Sequence, residues 1–195
     1  MTPSEKTSKR SARERLLASA DELFNEAGIH TIGIDRVLEH AGVAKASLYD
    51  TFGSKDELIR AYLLSRHDAR QARIAARLDG VRSPRDRILA IFDSMADLFA
   101  DPKFRGCAFL RASAEARPDS CVTQVVADYR GWLLDLFERL ATDAGVTDPK
   151  RLAQQLAMLY DGASVSAQMD GRPGAAAQAR AMAAMLLDAD AFAAR

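Results

Sequence analysis

Only two cysteines stand in the 195 residues, Cys107 and Cys121, and they have no C-x-x-C spacing, so neither a zinc site nor a disulfide framework is expected. Each reads as a small buried apolar group, with a redox role for Cys107 as the lesser alternative. Histidine is almost as scarce. His30, His40 and His67 have no metal-ligand spacing, so no metal is assigned. The sequence also lacks a Gly-rich phosphate loop, an H-E-x-x-H and a G-x-S-x-G, which removes the common catalytic constellations. No catalytic residue and no cofactor is assigned, and the chain reads as not an enzyme. No apolar run approaches the about 20 residues of a membrane span. The opening MTPSEKTSKRSARER has no apolar segment of the signal-peptide kind, so a cytoplasmic protein without membrane contact is expected. Runs rich in β-formers are missing throughout. Net charge is missing as well, with 27 Lys and Arg against 27 Asp and Glu.

What is present is apolar residue in helical rhythm, 48% hydrophobic overall and enough for a packed core. Leu16, Ala20, Leu23, Phe24 and Ala27 form a stripe that ends at Gly28. Ile34, Val37, Leu38 and Ala41 then recur at three- and four-residue intervals, on a helix too short to stand alone. Gly42 can end that helix with a positive φ, and Val43 can fold back as an apolar plug. The next segment, Ala44 to Phe52, buries Leu48 and Phe52 and turns Lys45, Ala46, Ser47, Tyr49 and Thr51 outward. Two short helices about such a turn read as a helix-turn-helix, which makes double-stranded DNA the first expected partner. Ser54-Lys55-Asp56-Glu57 then forms an S-x-x-E capping box. The bare amides of that helix start attract anions, so Lys55 is expected to clamp a DNA phosphate there.

The ordered run AGVAKASLYDTFGSKDEL at 41 to 58 resembles the TetR family of bacterial transcriptional regulators, with a match from about Leu16 to Leu63. The resemblance implies a homodimer on a palindromic operator, usually a repressor released by a small-molecule effector. It makes Lys45, Ser47, Tyr49 and Lys55 DNA contacts, with Ala46 allowing close approach and Ala44 capping the recognition helix; Thr51 joins them on the same face. Three positions depart from the family pattern. Gly33 stands where Ser or Thr often caps the second helix, Thr51 replaces a common His or Tyr, and Asp50 brings a negative charge near the DNA backbone. The alternative is an all-helical scaffold or interaction protein without DNA binding, in which Lys45 and Lys55 are solvated lysines and Tyr49 a packing residue. Residues 1 to 60 carry nine Lys and Arg against ten Asp and Glu, so DNA binding requires the charges to be sorted by face, with Lys9, Arg10, Arg13, Lys45 and Lys55 on the DNA side.

Downstream, Pro84, Pro102, Pro118, Pro149 and Pro173 punctuate amphipathic stretches. They predict helices over 54–79, 83–100, 106–116, 118–144, 149–170 and 174–192, nine in all, which makes the fold class all-α. The first 11 residues read as a mobile polar arm. Residues 1–53 are expected to form the arm and helix-turn-helix domain, and 54–195 a helical effector-binding and dimerisation domain. Neither Gly nor Pro interrupts Ser54 to Asp79, so the fourth helix should run unbroken and act as a lever. His67 on it reads as an ordinary residue rather than a pH sensor. Phe92, Met95, Phe99, Phe109 and Trp132 are the expected ligand-binding residues, in an apolar pocket with Phe104 and Cys107, closed by Tyr129, Met158 or Tyr160. The same stripe is more often the pattern of plain core. Gly131 and Gly162 suggest kinks or close approach that make room for a ligand. Leu152, Leu156, Leu159 and Ala163, with Ala179, Met182, Ala183 and Leu186, form two stripes for a four-helix dimer interface or for the core of the monomer.

Overall fold

The computed structural model describes residues 10–116, 120–171 and 174–193. Most of the expected arm, Lys9 included, lies outside the described residues, as do Arg117, Pro118, Arg172 and Pro173. Among the described residues there are nine helices and no strand: α1 (Ala12–Ala27), α2 (Ile34–Ala41), α3 (Lys45–Phe52), α4 (Lys55–Leu78), α5 (Pro84–Ala100), α6 (Ala108–Glu115), α7 (Cys121–Asp143), α8 (Pro149–Asp170) and α9 (Ala175–Ala193). The fold is all-α, as expected. No described helix is long and apolar enough to cross a membrane.

Helix α1 begins with a complete capping box, in which the Glu14 amide donates to Ser11 Oγ at 3.2 Å and the Ser11 amide to Glu14 Oε2 at 2.7 Å. Its buried face, Leu16, Ala20, Leu23 and Phe24, covers Val37, Leu38, Ala41 and Leu48 of the two short helices. The turn between them is closed by backbone geometry. Gly42 sits at φ 60° and donates to the Leu38 and Glu39 carbonyls, while the Val43 amide donates to Leu38 O at 3.2 Å. Val43 is half-buried against the core, the plug its position predicts. Arg15 of α1 fastens the turn by donating to Gly42 O at 3.0 Å.

Ser54 caps α4 by accepting from the Glu57 amide at 3.1 Å. The return half of the expected box is replaced, because the Glu57 carboxylate faces Arg60 at 3.5 Å. From there α4 runs unbroken to Leu78. It packs on α1, α5, α6 and α7, and α7, α8 and α9 enclose the remaining core. Phe92 stacks on Phe137 at 5.9 Å, and both meet Tyr160 edge-on. Helix α6 starts at Ala108, two residues later than its pattern suggests. Gly106 has φ 91°, and a Cβ there would come within 2.0 Å of the Gln168 side chain. Cys107 is buried as expected; Cys121 is only half-buried, since its thiol reaches out to donate to the Asp56 carbonyl at 3.3 Å.

His67 is half-buried among rings, edge-on to Trp132 at 4.9 Å and to Tyr129 at 5.7 Å. Its Nε2 lies 3.1 Å from the Gln71 amide nitrogen, a donor, which suits the neutral ring. Burial holds the His67 pKa below the ordinary histidine value, with Arg70 acting in the same direction and Asp68 and Asp128 opposing. A folded-state pKa below the unfolded one means that the unfolded chain takes up the proton first as pH falls. Stability should therefore drop as pH goes below the unfolded value of 6.5, and the loss saturates below the folded pKa. Asp21 and Asp161, raised by burial above their ordinary value of 3.8, act with the opposite sign and are present alike in the wild type and in His67→Gln.

Two outcomes are expected in thermal melts. Leu48→Ala, at a fully buried position, should cost about 2–5 kcal/mol, whereas Tyr49→Ala, at a residue 48% exposed, should change stability by about 0.5 kcal/mol or less. Similar losses for the two would mean that Tyr49 is packed rather than presented. Between about pH 7.5 and about pH 5.5 the wild type should lose more melting temperature than His67→Gln. An equal loss in the two proteins would put the pH sensitivity elsewhere.

Candidate functional site

Helix α3 is held by Leu48, which is fully buried beneath α1, and this fixes which way the other side chains face. Lys45, Ala46, Tyr49, Asp50 and Thr51 are exposed, and Ser47 is half-buried. Ala44 occupies the N-cap without a side-chain bond, and so does Gly33 at the start of α2. Lys45 Nζ rests 3.6 Å from Asp35 of α2, an exposed pair worth little and easily exchanged for another anion. The Thr51 hydroxyl donates to the Ser47 carbonyl at 2.6 Å, so on this surface it is left as an acceptor. Arg13 lies over the Phe52 ring at 5.5 Å, at the edge of the same unit.

Lys55 stands in the first turn of α4, half-buried rather than free in solvent. Burial holds its ammonium below the ordinary lysine value, while Asp56 and Glu115 pull the other way. It therefore sits at the junction of α4 with the end of α6. A carboxylate of the larger helical body, Glu115, thus acts on its charge, which nothing in the local motif announces.

The five apolar residues expected around a ligand separate into three groups. Phe109 stacks on Tyr129 at 3.8 Å, with half-buried Trp132 beside Tyr129 at 6.1 Å. Phe92 belongs to the Phe137–Tyr160 cluster, with Met95 fully buried on the same helix. Phe99 meets Phe104 at 4.9 Å. Met158 closes none of these, because it is 70% exposed on the outer face of α8. Gly131 and Gly162 do not mark close approach, since a Cβ at either would meet nothing within 4 Å. Gly162 instead lines a groove of about 490 Å³ between α8 and α9, with Met158, Leu159, Ala179 and Met182.

A polar cavity of about 530 Å³ was not anticipated. It lies between α1, α4 and the connection from α5 to α6, lined among others by Asn25, Arg66, Arg70, Arg73 and Lys103. Arg70 reaches from it into the core, where it donates to the Tyr129 hydroxyl and, at 3.6 Å, to Cys107 Sγ. Burial pushes the Tyr129 phenol far up despite the adjacent cation, so this partner stays a neutral hydroxyl. The sequence does contain a signal for Arg70. It falls seven residues after Leu63 and four before Ile74, both of them buried on the same face of α4.

With this geometry established, the likenesses to known proteins are specific. The profile described as "Bacterial regulatory proteins, tetR family" matches residues 16–62, the span of α1 to the first turns of α4. The crystal structure of a TetR-family transcriptional regulator from Streptomyces coelicolor is 32% identical with a TM-score of 0.86, over 92% of this chain and 95% of that one. A putative TetR transcriptional regulator from Streptomyces avermitilis is 35% identical with a TM-score of 0.84, over 93% and 98%. The transcriptional repressor NemR of Escherichia coli is 33% identical over 53% of each chain. In such sequence alignments the chain spans little more than half the length of the curated relatives it matches. The motif at 41 to 58, the helix-turn-helix that carries it and the likeness along nearly the whole chain agree: the chain belongs to the TetR family of bacterial transcriptional regulators.

Proposed function

We propose that the protein is a homodimeric transcriptional repressor that leaves a palindromic operator when a small-molecule ligand binds its larger helical part. In this reading residues 1–53 serve DNA binding, and residues from 54 onward serve effector binding and dimerisation. The observation that carries it is the outward face of α3, where Lys45, Ala46 and Tyr49 stand exposed over a buried Leu48. A cation, a small residue that admits the backbone, a half-buried hydroxyl at Ser47 and an aromatic ring suit the major groove. Lys55 and the capped start of α4 supply the phosphate contact that sets register. The relatives carry both signs of control: NemR is named a repressor, and FasR of Mycolicibacterium smegmatis an activator. Repression is the expected sign, because ligand and operator would then compete through one helix, α4.

Dimerisation is supported by the outer surface of α8 and α9. Leu152, Leu156, Ala163, Ala179 and Ala183 are spent on the core of the monomer, yet Met158, Met169, Met182 and Met185 are 53–79% exposed. A stripe of exposed methionines beside a groove is apolar surface that a second copy would cover. Two recognition helices would then enter successive major grooves about 34–36 Å apart.

The wild type should sediment as a dimer at micromolar concentration, and Met182→Glu should shift it toward monomer; a monomeric wild type would remove the dimer reading. Mobility shifts on DNA flanking its own gene test the rest. Lys55→Ala should weaken specific and unrelated DNA alike and lower the salt slope by about 1, whereas Lys45→Ala and Tyr49→Ala should weaken the operator selectively. Operator affinity unchanged in both α3 variants would show that α3 does not read the site. In a reporter strain, deletion of the gene should raise expression from the bound promoter, and a fall would make the protein an activator.

A further inference from the structure

The recognition helix is held at few points. Helix α3 has eight residues, too short to persist alone, and Leu48 is its one buried residue. Leu48 sets how deep the helix sits, and Phe52, half-buried, steadies its far end. The near end depends on the turn before it. Neither short helix has a side-chain cap of its own, since Gly33 opens α2 and Ala44 opens α3 with no side-chain bond. The backbone bonds of Gly42 and Val43 give the turn its shape, but they end on the Glu39 and Leu38 carbonyls of α2, so they do not set where the turn lies on α1.

A polar row on α1 supplies that placement. Arg15, Ser19 and Glu22 recur at four- and three-residue intervals and so share one face of the helix. All three meet the end of α2. Arg15 Nη1 donates to the Gly42 carbonyl at 3.0 Å, with the Ala41 carbonyl as a second acceptor at 3.4 Å. His40 Nδ1 lies 3.0 Å from the hydroxyl of buried Ser19, and His40 Nε2 lies 3.6 Å from the Glu22 carboxylate. The Arg15 Nε is buried as well, so the guanidinium lies against the turn. A cation at the last carbonyls of a helix also answers the negative end of its dipole. Gly42 stands next but one to Ala44, the N-cap of α3, so a shift of the turn passes directly into the recognition helix.

We propose that Arg15 is a positioning residue for operator recognition: with Ser19 and Glu22 it clamps the last turn of α2 to α1, and so fixes the angle at which α3 presents Lys45, Ala46 and Tyr49, without itself touching DNA. The proposal deepens the DNA-binding reading and rests on it for the effect at the operator. Base edges are read by directional contacts that need the helix in register, whereas cations at phosphates hold any sequence. Loosening the clamp should therefore weaken the operator and leave non-specific binding in place.

Mobility shifts on the operator and on unrelated DNA, together with amide hydrogen exchange of the DNA-free full-length protein, test it. Arg15→Met, which keeps the stem and removes the donors, should lose about tenfold in operator affinity, with affinity for unrelated DNA and the salt slope unchanged. Arg15→Lys, which returns a donor without the planar head, should recover part of that loss. In Arg15→Met, exchange should quicken at the amides of residues 42–48 and stay at the wild-type rate in α5 and α7. Three results would overturn the proposal. Operator affinity could be unchanged; operator and unrelated DNA could weaken together with a salt slope lower by about 1, making Arg15 a phosphate contact; or exchange could quicken along the whole chain, making it an ordinary stabilising residue. If Arg15→Met does not fold, Ser19→Ala, which removes only the hydroxyl facing His40, should show the same operator-selective loss in smaller measure, and unchanged operator affinity there would overturn the proposal equally. A wild type that binds no DNA would sink the DNA-binding reading, and the exchange pattern of the variants would still decide whether the clamp places α3.

Discussion

Helix α4 is a single hydrogen-bonded ladder of 24 residues, about 36 Å long, and most of the molecule is arranged by what it touches along that length. Its first turn is seated by Ser54 directly after the recognition helix. Tyr62 then meets Phe24 of α1 edge-on at 5.5 Å, and Arg66 pairs with Asp21. Arg70 and Ile74 follow inside the larger core. With no Gly or Pro to bend it, the helix cannot absorb a displacement locally. A shift at the level of Arg70 must move the turns that hold α1 and α3, or else break the packing between.

A second line of attachment runs beside the first. Asn25 of α1 donates to the Lys103 carbonyl at 3.0 Å, and Arg111 of α6 donates to the Asn25 carbonyl at 2.6 Å. Glu115 at the end of α6 accepts from the His30 amide at 3.1 Å, and a Cβ on Gly28, at φ 91°, would come within 2.9 Å of the Glu115 carboxylate. The helix-turn-helix is therefore held by α4 on one side and by α6 on the other. Two attachments restrict a rigid unit to rotation about the line joining them, which is a narrower motion than one flexible linker would permit. The polar cavity opens between those attachments.

The helix-turn-helix was legible in the sequence because its determinants are local. A stripe, a left-handed glycine at position 42 and a cap at Ser54 each depend on neighbours within a few residues. Helix boundaries were readable for the same reason, whereas Ser11, read as part of a mobile arm, instead caps α1 through a complete box with Glu14. What stayed hidden depends on partners far along the chain. Arg70 and Arg73 have the composition of a solvated helix face, and only the burial of Leu63 and Ile74 on the same stripe betrays one of them. Met158 is as apolar as Met95, but one points outward and the other into the core, which periodicity within a single helix does not resolve. The Thr51 hydroxyl bonds its own helix, an outcome its residue type permits without requiring. Phe92, Phe99 and Phe109 could be called buried from spacing alone, yet which of them share a cluster is set by how α5, α6 and α7 cross.

The charge balance of the first 60 residues bears on how such a unit can hold DNA at all. On the exposed side Lys45 is near Asp35, Arg36 near Glu39, Arg60 near Glu57, and Lys55 is influenced by Glu115. Lys45, Arg36 and Arg60 must each leave a carboxylate to meet a phosphate, and because exposed pairs contribute little, the exchange is cheap but the net attraction is small. One copy thus offers few released counterions and a weak electrostatic component. Joining two copies makes the second contact intramolecular, which multiplies affinity without any new cation. In the proposed dimer, a weakly charged recognition unit and the exposed methionines of α8 and α9 would be one design: the first makes a single unit a weak binder, and the second would provide the surface through which two act together. Under the proposed control by a ligand, a change in the spacing of two such units would suffice, since the second contact gains only from being held near the first.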